Sequence, residues 1–531
     1  MLRNLKADSF LMLNKDPQGR QLEPVAPTPT EIGVGIGNAD ARRRGGSPVR
    51  TIFLGIGGRG SLMLVNMLIL VVTSRVLTPA DFGIFAVALL CIDLAAATSY
   101  AVVGVPMLQR KRLRSVDYAN AFTIALLLGV GGGAVIALAA ASMERWFGMP
   151  ELAPLLQGAA LIVPGRCLAS FFIAVLQRHL RVESIIWAQT RSQITSALGV
   201  TLVCALLGFG AWSLLLGLAA SIFLELFWCF RASRICPRLA LGNEARQILT
   251  DGSGALSSAL LVFSSDSLDR LVVGAMFGAS PLGIYVRATN LVLLPATLIG
   301  IPASSALLSW FSRVKGQSER VRQALSATVE FQSLLLLPIT VGFCLASPLM
   351  VHLLLGAQWS AAIPLAQILF IGSFARLGAT ALEAAAYSLG HAWGTARRLF
   401  TSAGVLVIGL AIAAPQSLLW VAVAVTASRV VYYILVLRFG VRKFDLALAP
   451  IILANLKGLV IAIIGAVAAI GGTLLLQIPV EFVENLTLAF LYGITVSALI
   501  LLGPARLVDP VGSMGVAFLL QLRRRGLTQK S

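Results

Sequence analysis

The sequence predicts an all-α polytopic membrane protein with about fourteen transmembrane helices. Three observations predict it. Apolar residues make up 57% of the chain and charged residues only 12%, against roughly 45–50% and about 25% in soluble domains. The apolar residues run in long stretches, and about twenty residues suffice to cross a hydrocarbon core as one helix. Lys and Arg cluster in every second connection between those stretches and nearly vanish from the others. That is the charge asymmetry of a multi-pass inner-membrane protein.

The first span (51–75) follows a tail with eight basic residues, from Arg3 to Arg50, and the second (83–108) runs into Arg110, Lys111, Arg112 and Arg114. Spans three (118–142) and four (152–176) flank a loop holding only Arg145 and end at Arg178 and Arg181. Spans five (184–206) and six (211–230) return to Arg231, Arg234, Arg238 and Arg246. Seven (248–276) and eight (283–309) enclose a loop without Lys or Arg, then reach Arg313, Lys315, Arg320 and Arg322. Nine (329–353) and ten (361–389) precede Arg397 and Arg398, where eleven (396–412), the shortest, begins. Twelve (417–437) ends at Arg438, Arg442 and Lys443. Thirteen (449–473) and fourteen (485–504) lead to a tail with Arg506, Arg523, Arg524, Arg525 and Lys530. Thirty-two of the 42 basic residues therefore share one side, and only Arg75 and Arg145 lie on the other. The basic side is expected to be cytoplasmic, with both termini.

This pattern accounts for the net charge of +19 through the positive-inside rule and contact with anionic lipid headgroups. No aromatic-interleaved basic patch points to nucleic acid. The connections are too short to hold a catalytic domain, which argues against an enzyme. Gly55-Ile56-Gly57-Gly58-Arg59-Gly60 spells GxGxxG but opens a span with no strand before it, so it does not predict a dinucleotide site. The three histidines, His179, His352 and His391, are scattered, and neither a metal nor another cofactor is expected. Residues 1–49 read as a disordered cytoplasmic tail, and 505–531 as a second cytoplasmic tail whose segment 511–525 is amphipathic.

A short repeat divides the chain. Phe82-Gly83-Ile84-Phe85 opens the second span and Leu282-Gly283-Ile284-Tyr285 the eighth, each after a Pro-containing loop. Six spans separate them, so the copies have the same orientation and predict two lobes related by an axis along the membrane normal. The expected organisation is an N-lobe at 50–240, a C-lobe at 241–440 and two additional spans at 441–504.

Three motifs carry a family resemblance. Ser74-Arg75-Val76-Leu77-Thr78-Pro79-Ala80-Asp81-Phe82-Gly83 resembles the first-loop signature of the Wzx-type polysaccharide flippases. These belong to the multidrug/oligosaccharidyl-lipid/polysaccharide (MOP) exporter superfamily. Asp269-Arg270-Leu271-Val272-Val273-Gly274 with Leu282–Tyr285 and Ala288 is similar to their seventh-span signature, and Leu355-Gly356-Ala357-Gln358-Trp359 to the loop before their tenth span. The resemblance implies two six-helix lobes plus two C-terminal helices in the bacterial inner membrane. It implies alternating-access transport of undecaprenyl-pyrophosphate-linked oligosaccharide repeat units for exopolysaccharide or lipopolysaccharide assembly. Membrane lipids, the lipid-linked oligosaccharide and polysaccharide polymerase or export machinery are the implied partners. A drug/cation antiporter of the same superfamily and a membrane polymerase or ligase are the alternatives.

Charges inside spans mark the candidate site, since each needs a partner or a wet cavity. Arg166, Arg376 and Arg429 fall near mid-span, and Arg270 joins them as a candidate pyrophosphate ligand, because Arg matches phosphate oxygens in a planar fork. Asp93, Asp269 and Glu383 are the candidates for ion coupling. Glu383 stands seven residues after Arg376 on nearly the same helix face and is positioned to pair with it. Asp266 and Arg270, four apart, have the spacing of a helical ion pair. Arg59, Arg191, Arg287 and Lys457 lie near span ends, where they can snorkel to headgroups.

Overall fold

The computed structural model describes residues 67, 69–110, 112–235, 238–295, 318–388, 392–476 and 481–502. The expected tails at 1–49 and 505–531, most of the first span with Arg59, and the GxGxxG segment lie outside the described residues. Among the described residues there are fourteen helices and no strand, one helix for each expected span. They are α1 (69–76), α2 (Pro79–Gln109), α3 (Ser115–Phe147), α4 (Leu152–Arg178), α5 (182–206), α6 (Ala211–Ser233) and α7 (Asn243–Phe277). The second half holds α8 (Ala279–Pro295), α9 (318–355), α10 (Ala362–Ser388), α11 (Ala392–Ala413), α12 (Leu418–Phe444), α13 (Leu448–Leu476) and α14 (Glu481–Leu502). Eight of them are long and apolar enough to cross a membrane, and the chain is a multi-pass membrane protein.

The local sequence explains how these helices start. Thr78-Pro79-Ala80-Asp81 is a capping box. Asp81 N donates to Thr78 Oγ1 at 3.3 Å and Thr78 N donates to Asp81 Oδ2 at 2.9 Å, with Pro79 in the first turn. Two otherwise orphaned N–H groups are satisfied, and a proline N–H is not needed there. Three helices contain π-turns, at Tyr100–Gly104 of α2, Ala197–Thr201 of α5 and Val351–Leu355 of α9. Such bulges redirect a helix at functional positions. Pro164 leaves α4 continuous, and Arg166 follows it by half a turn.

Packing sorts the helices. α2 to α6 pack on one another, with α4 touching α2, α3 and α6. α8 to α12 form the second set, with α10 against α8, α9 and α12, and α13 and α14 add to it on α9. α7 touches α2 and α3 on one side and α8, α11 and α12 on the other. The sets meet directly where α2 crosses α8, and the crossing point is the sequence repeat. A Cβ on Gly83 would sit 1.8 Å from Ala279 O, and one on Gly283 1.9 Å from Pro79 O. Each copy's glycine admits the backbone of the other copy. Small residues allow this close approach where the lipid supplies no hydrophobic drive for association.

Candidate functional site

α7 is the polar helix of the bundle. Ser253, Ser257 and Ser264 are exposed at intervals of four and seven, on one face. Ser253 and Ser257 spend their hydroxyl protons on carbonyls of their own helix, at 2.8 and 3.1 Å. These serines give the exposed face of α7 a polar stripe, interrupted by Leu260.

Charged residues follow the serines along α7 and on the helices packed against it. Arg376 of α10 reaches Asp266 of α7 with Nη1···Oδ1 at 3.3 Å, and the two side chains are 56% and 45% accessible. The bond ties α10 to α7 through two side chains that are both open to the surroundings. Asp269 is buried and holds α7 to α8, its Oδ2 accepting the Tyr285 hydroxyl at 2.7 Å. Its Oδ1 accepts the Arg270 backbone N–H at 2.9 Å. The Arg270 side chain is half-buried, and its Nε has no hydrogen-bond partner.

Glu383 of α10 accepts a hydrogen bond from the Tyr432 hydroxyl of α12. The sequence offered two i-spaced pairings, Asp266 with Arg270 and Glu383 with Arg376. The structure replaces both with bonds between helices: Asp266 takes Arg376, and Glu383 takes Tyr432. Arg429 of α12 is half-buried and makes no ion pair or hydrogen bond among the described residues. Its chain passes Gly372, whose Cβ would sit 3.3 Å from Arg429 Cδ. The charges of Asp266, Asp269 and Arg376 all act on it.

Within the first helix set, Arg166 of α4 bonds Glu225 of α6 at 3.3 Å, and Gln189 of α5 donates to the other Glu225 oxygen at 3.0 Å. Asp93 of α2 makes no hydrogen bond, but the charges of Arg166 and Arg270 both act on it. Of the seven candidate residues, the bonds seen tie Arg166 to Glu225, Arg376 to Asp266, Asp269 to Tyr285 and Glu383 to Tyr432, and none of these bonds joins one candidate to another. Arg166 and Arg376 each bond a carboxylate, while Arg270 and Arg429 form no ion pair among the described residues.

Asp269 and Arg270 open one of the three resemblance motifs, and the other two meet in a seal on the Arg-poor side. Trp359 is fully buried and donates Nε1–H to Ser74 O at 2.8 Å. Gln358 donates to Ser74 O and Leu77 O at 2.5 and 3.2 Å, and Arg75 to Leu353 O at 3.0 Å. Phe82 meets Trp359 edge to face with centroids 5.5 Å apart. Arg287 of α8 is 6% exposed, stacks over the Phe82 ring at 3.6 Å and donates to Thr73 Oγ1 at 3.3 Å. The reading of Arg287 as a snorkelling residue is corrected: it points inward, into the aromatic side of the seal. The loop before α10 thus binds the loop after α1, and the α2–α8 glycine crossing lies directly beneath.

Known proteins resemble this arrangement. The family described as "Polysaccharide biosynthesis protein" matches residues 72–364, which include all three motifs and stop short of Arg376, Glu383 and Arg429. The succinoglycan biosynthesis transport protein ExoT of Rhizobium meliloti (strain 1021) is 28% identical over 306 residues, 56% of this chain and 60% of its own length. The lipopolysaccharide biosynthesis protein WzxC of Escherichia coli (strain K12) is 24% identical over 331 residues, 60% of this chain and 64% of its own. The match thus spans less than two thirds of either relative. Among solved structures, the lipid II flippase MurJ in an inward closed conformation superposes with a TM-score of 0.65 at 14% identity, covering 84% of this chain and 98% of that one. An inward-facing multidrug resistance MATE transporter of the MOP superfamily gives 0.56 at 16% identity, over 72% and 94%. These two likenesses establish the fold. The family match covers more than half of the sequence and contains the whole seal, and the chain belongs to the polysaccharide biosynthesis protein family.

Proposed function

We propose that the chain is a transporter that flips undecaprenyl-pyrophosphate-linked oligosaccharide repeat units across the bacterial inner membrane, for exopolysaccharide or lipopolysaccharide assembly. Arg429 carries this reading. It is a half-buried guanidinium on a membrane helix that makes no ion pair or hydrogen bond among the described residues, a charge that in a hollow between the helix sets would be costly unless something bound it. A pyrophosphate supplies the bidentate acceptor that Arg favours. Arg376 joins when Asp266 releases it, and Arg270 offers its free Nε. The sealed Arg-poor side fits one stage of alternating access, with the hollow reached from the basic side. The carboxylates that offset the arginines, Asp93 and Asp269 among them, give the cycle a place to take up a proton or cation when the anionic substrate leaves. The polymerase and export machinery are the partners that would receive the product.

Deletion is expected to stop surface or secreted polysaccharide while lipid-linked repeat units accumulate in the inner leaflet. A mutant that keeps its polysaccharide, accumulates no intermediate and becomes drug-sensitive would favour the antiporter reading. The relatives' roles in succinoglycan transport and lipopolysaccharide biosynthesis support the flippase over that alternative. The charge asymmetry supports both termini being cytoplasmic. Reporter fusions at residues 114 and 242 should read cytoplasmic and those at 147 and 280 should read outside, and one reversed site removes the span beside it.

A further inference from the structure

A second polar site lies outside the hollow, on the arginine-rich face. The turn between α2 and α3 and the end of α4 border an open depression of about 590 Å³ lined by Arg112, Leu113, Arg114, Asp117, Tyr118 and Arg178. Three of those six side chains are guanidinium-bearing and one is acidic. The acid is already committed. Asp117 Oδ2 accepts the Arg114 backbone N–H at 2.7 Å, and its Oδ1 takes Arg110 Nη1 at 3.3 Å. Arg110 is held in turn by Asp251 of α7 at 2.8 Å. Arg178 is fixed by donation to Met107 O at 2.5 Å. Tyr118 is propped against His179, ring to ring, with centroids 6.3 Å apart. The exposed guanidinium groups of Arg112 and Arg114 engage no carboxylate among the described residues.

The bland account is a solvated basic loop that obeys the positive-inside rule. It explains the charge but not the concavity, nor why the only lining carboxylate is turned to the loop's own backbone and to Arg110. Two guanidinium groups that engage no carboxylate, a third held by the Met107 carbonyl, and Tyr118 line one space. That set matches a phosphate oxyanion, which accepts several charge-assisted hydrogen bonds at once. The volume leaves room for a group attached to the phosphate.

The geometry points to a phosphate-binding pocket at the α2–α3 turn, separate from the hollow. Its ligand is a phosphate oxyanion, supplied by an anionic lipid headgroup or by a soluble phosphate compound. The pocket adjoins α2, whose other end crosses α8 in the seal, and its neighbour Arg110 bonds α7 through Asp251.

Arginine-selective labelling of the full-length protein with phenylglyoxal, read residue by residue by peptide mass spectrometry, tests this. Arg442, exposed and remote in sequence from the pocket, is the internal control. The protein is labelled in detergent with and without inorganic pyrophosphate, and in nanodiscs of phosphatidylglycerol or of phosphatidylcholine alone. Labelling of Arg112 and Arg114 is expected to slow by about fivefold or more in one arm, with Arg442 unchanged. Protection by pyrophosphate identifies a soluble ligand, and protection by phosphatidylglycerol but not phosphatidylcholine identifies a lipid headgroup. Protection in neither arm, or equal protection of Arg442, overturns the proposal. The hollow plays no part in this readout, so the outcome is independent of the flippase reading.

Discussion

Gly83→Ala and Gly283→Ala, separately and together, are expected to abolish export while the protein stays in the membrane. Alanine is the better helix former by about 1 kcal/mol, so neither change harms α2 or α8 by itself. The damage comes from contact. The added methyl would stand 1.8 Å from Ala279 O or 1.9 Å from Pro79 O, and the two helices must part before it fits. Overpacking of this kind costs about 1–3 kcal/mol, enough to shift the balance between sealed and open states roughly 5- to 150-fold. Two measurements check the result together: exported polysaccharide with membrane abundance, and crosslinking between cysteines placed at Ser74 and Gln358, which touch in the seal. Loss of export with weakened crosslinking is the expected pair. Normal export with normal crosslinking would show that the crossing is not a moving joint.

Arg429→Ala is expected to reduce export more than Arg166→Ala, with both proteins present in normal amounts. Arg166 has Glu225 to answer to, while Arg429 has no bonded partner to lose. A hydrogen bond to a charged group contributes about 1.5–3 kcal/mol, so removing the Arg429 contact should weaken substrate binding roughly 10- to 150-fold. Arg429→Lys should restore export only in part, because an ammonium keeps the charge and loses the fork. Arg376 allows a sharper comparison. If its bond to Asp266 were purely structural, the double Arg376→Ala/Asp266→Ala variant would be milder than Arg376→Ala alone. The flippase account expects the double variant to export no better than the single one. Export by Arg429→Ala at the wild-type level would remove Arg429 from the site.

The helices were legible in the sequence because two independent signals agreed. Apolar length and basic side counted the same fourteen spans, and even the short eleventh span appears as α11 (Ala392–Ala413). The seal was half legible. The Thr78–Asp81 capping box and the glycine of each repeat are local features, but a single sequence does not say that one copy packs on the other. The pairings within the site were misread for a physical reason. Spacing along a helix identifies candidates three or four residues away and is blind to neighbours on other helices. Asp266 had Arg270 in helical register, yet Arg376 on α10 is the group it bonds. Arg287 was placed near a span end, and only direction distinguishes snorkelling from burial between Phe82 and Thr73. The partners Glu225, Gln189 and Tyr432 were missed as site residues for the same reason.

The most direct test of the account reconstitutes the purified chain in liposomes containing an undecaprenyl-pyrophosphate-linked oligosaccharide. The sugar exposed on each leaflet is then followed with a membrane-impermeant lectin. Wild-type protein should carry the oligosaccharide across far faster than protein-free vesicles, and the Arg376→Ala/Arg429→Ala variant should be no faster than those vesicles. Wild-type protein that moves nothing, or a double variant as fast as wild type, would contradict transport of this substrate through the arginine-lined hollow.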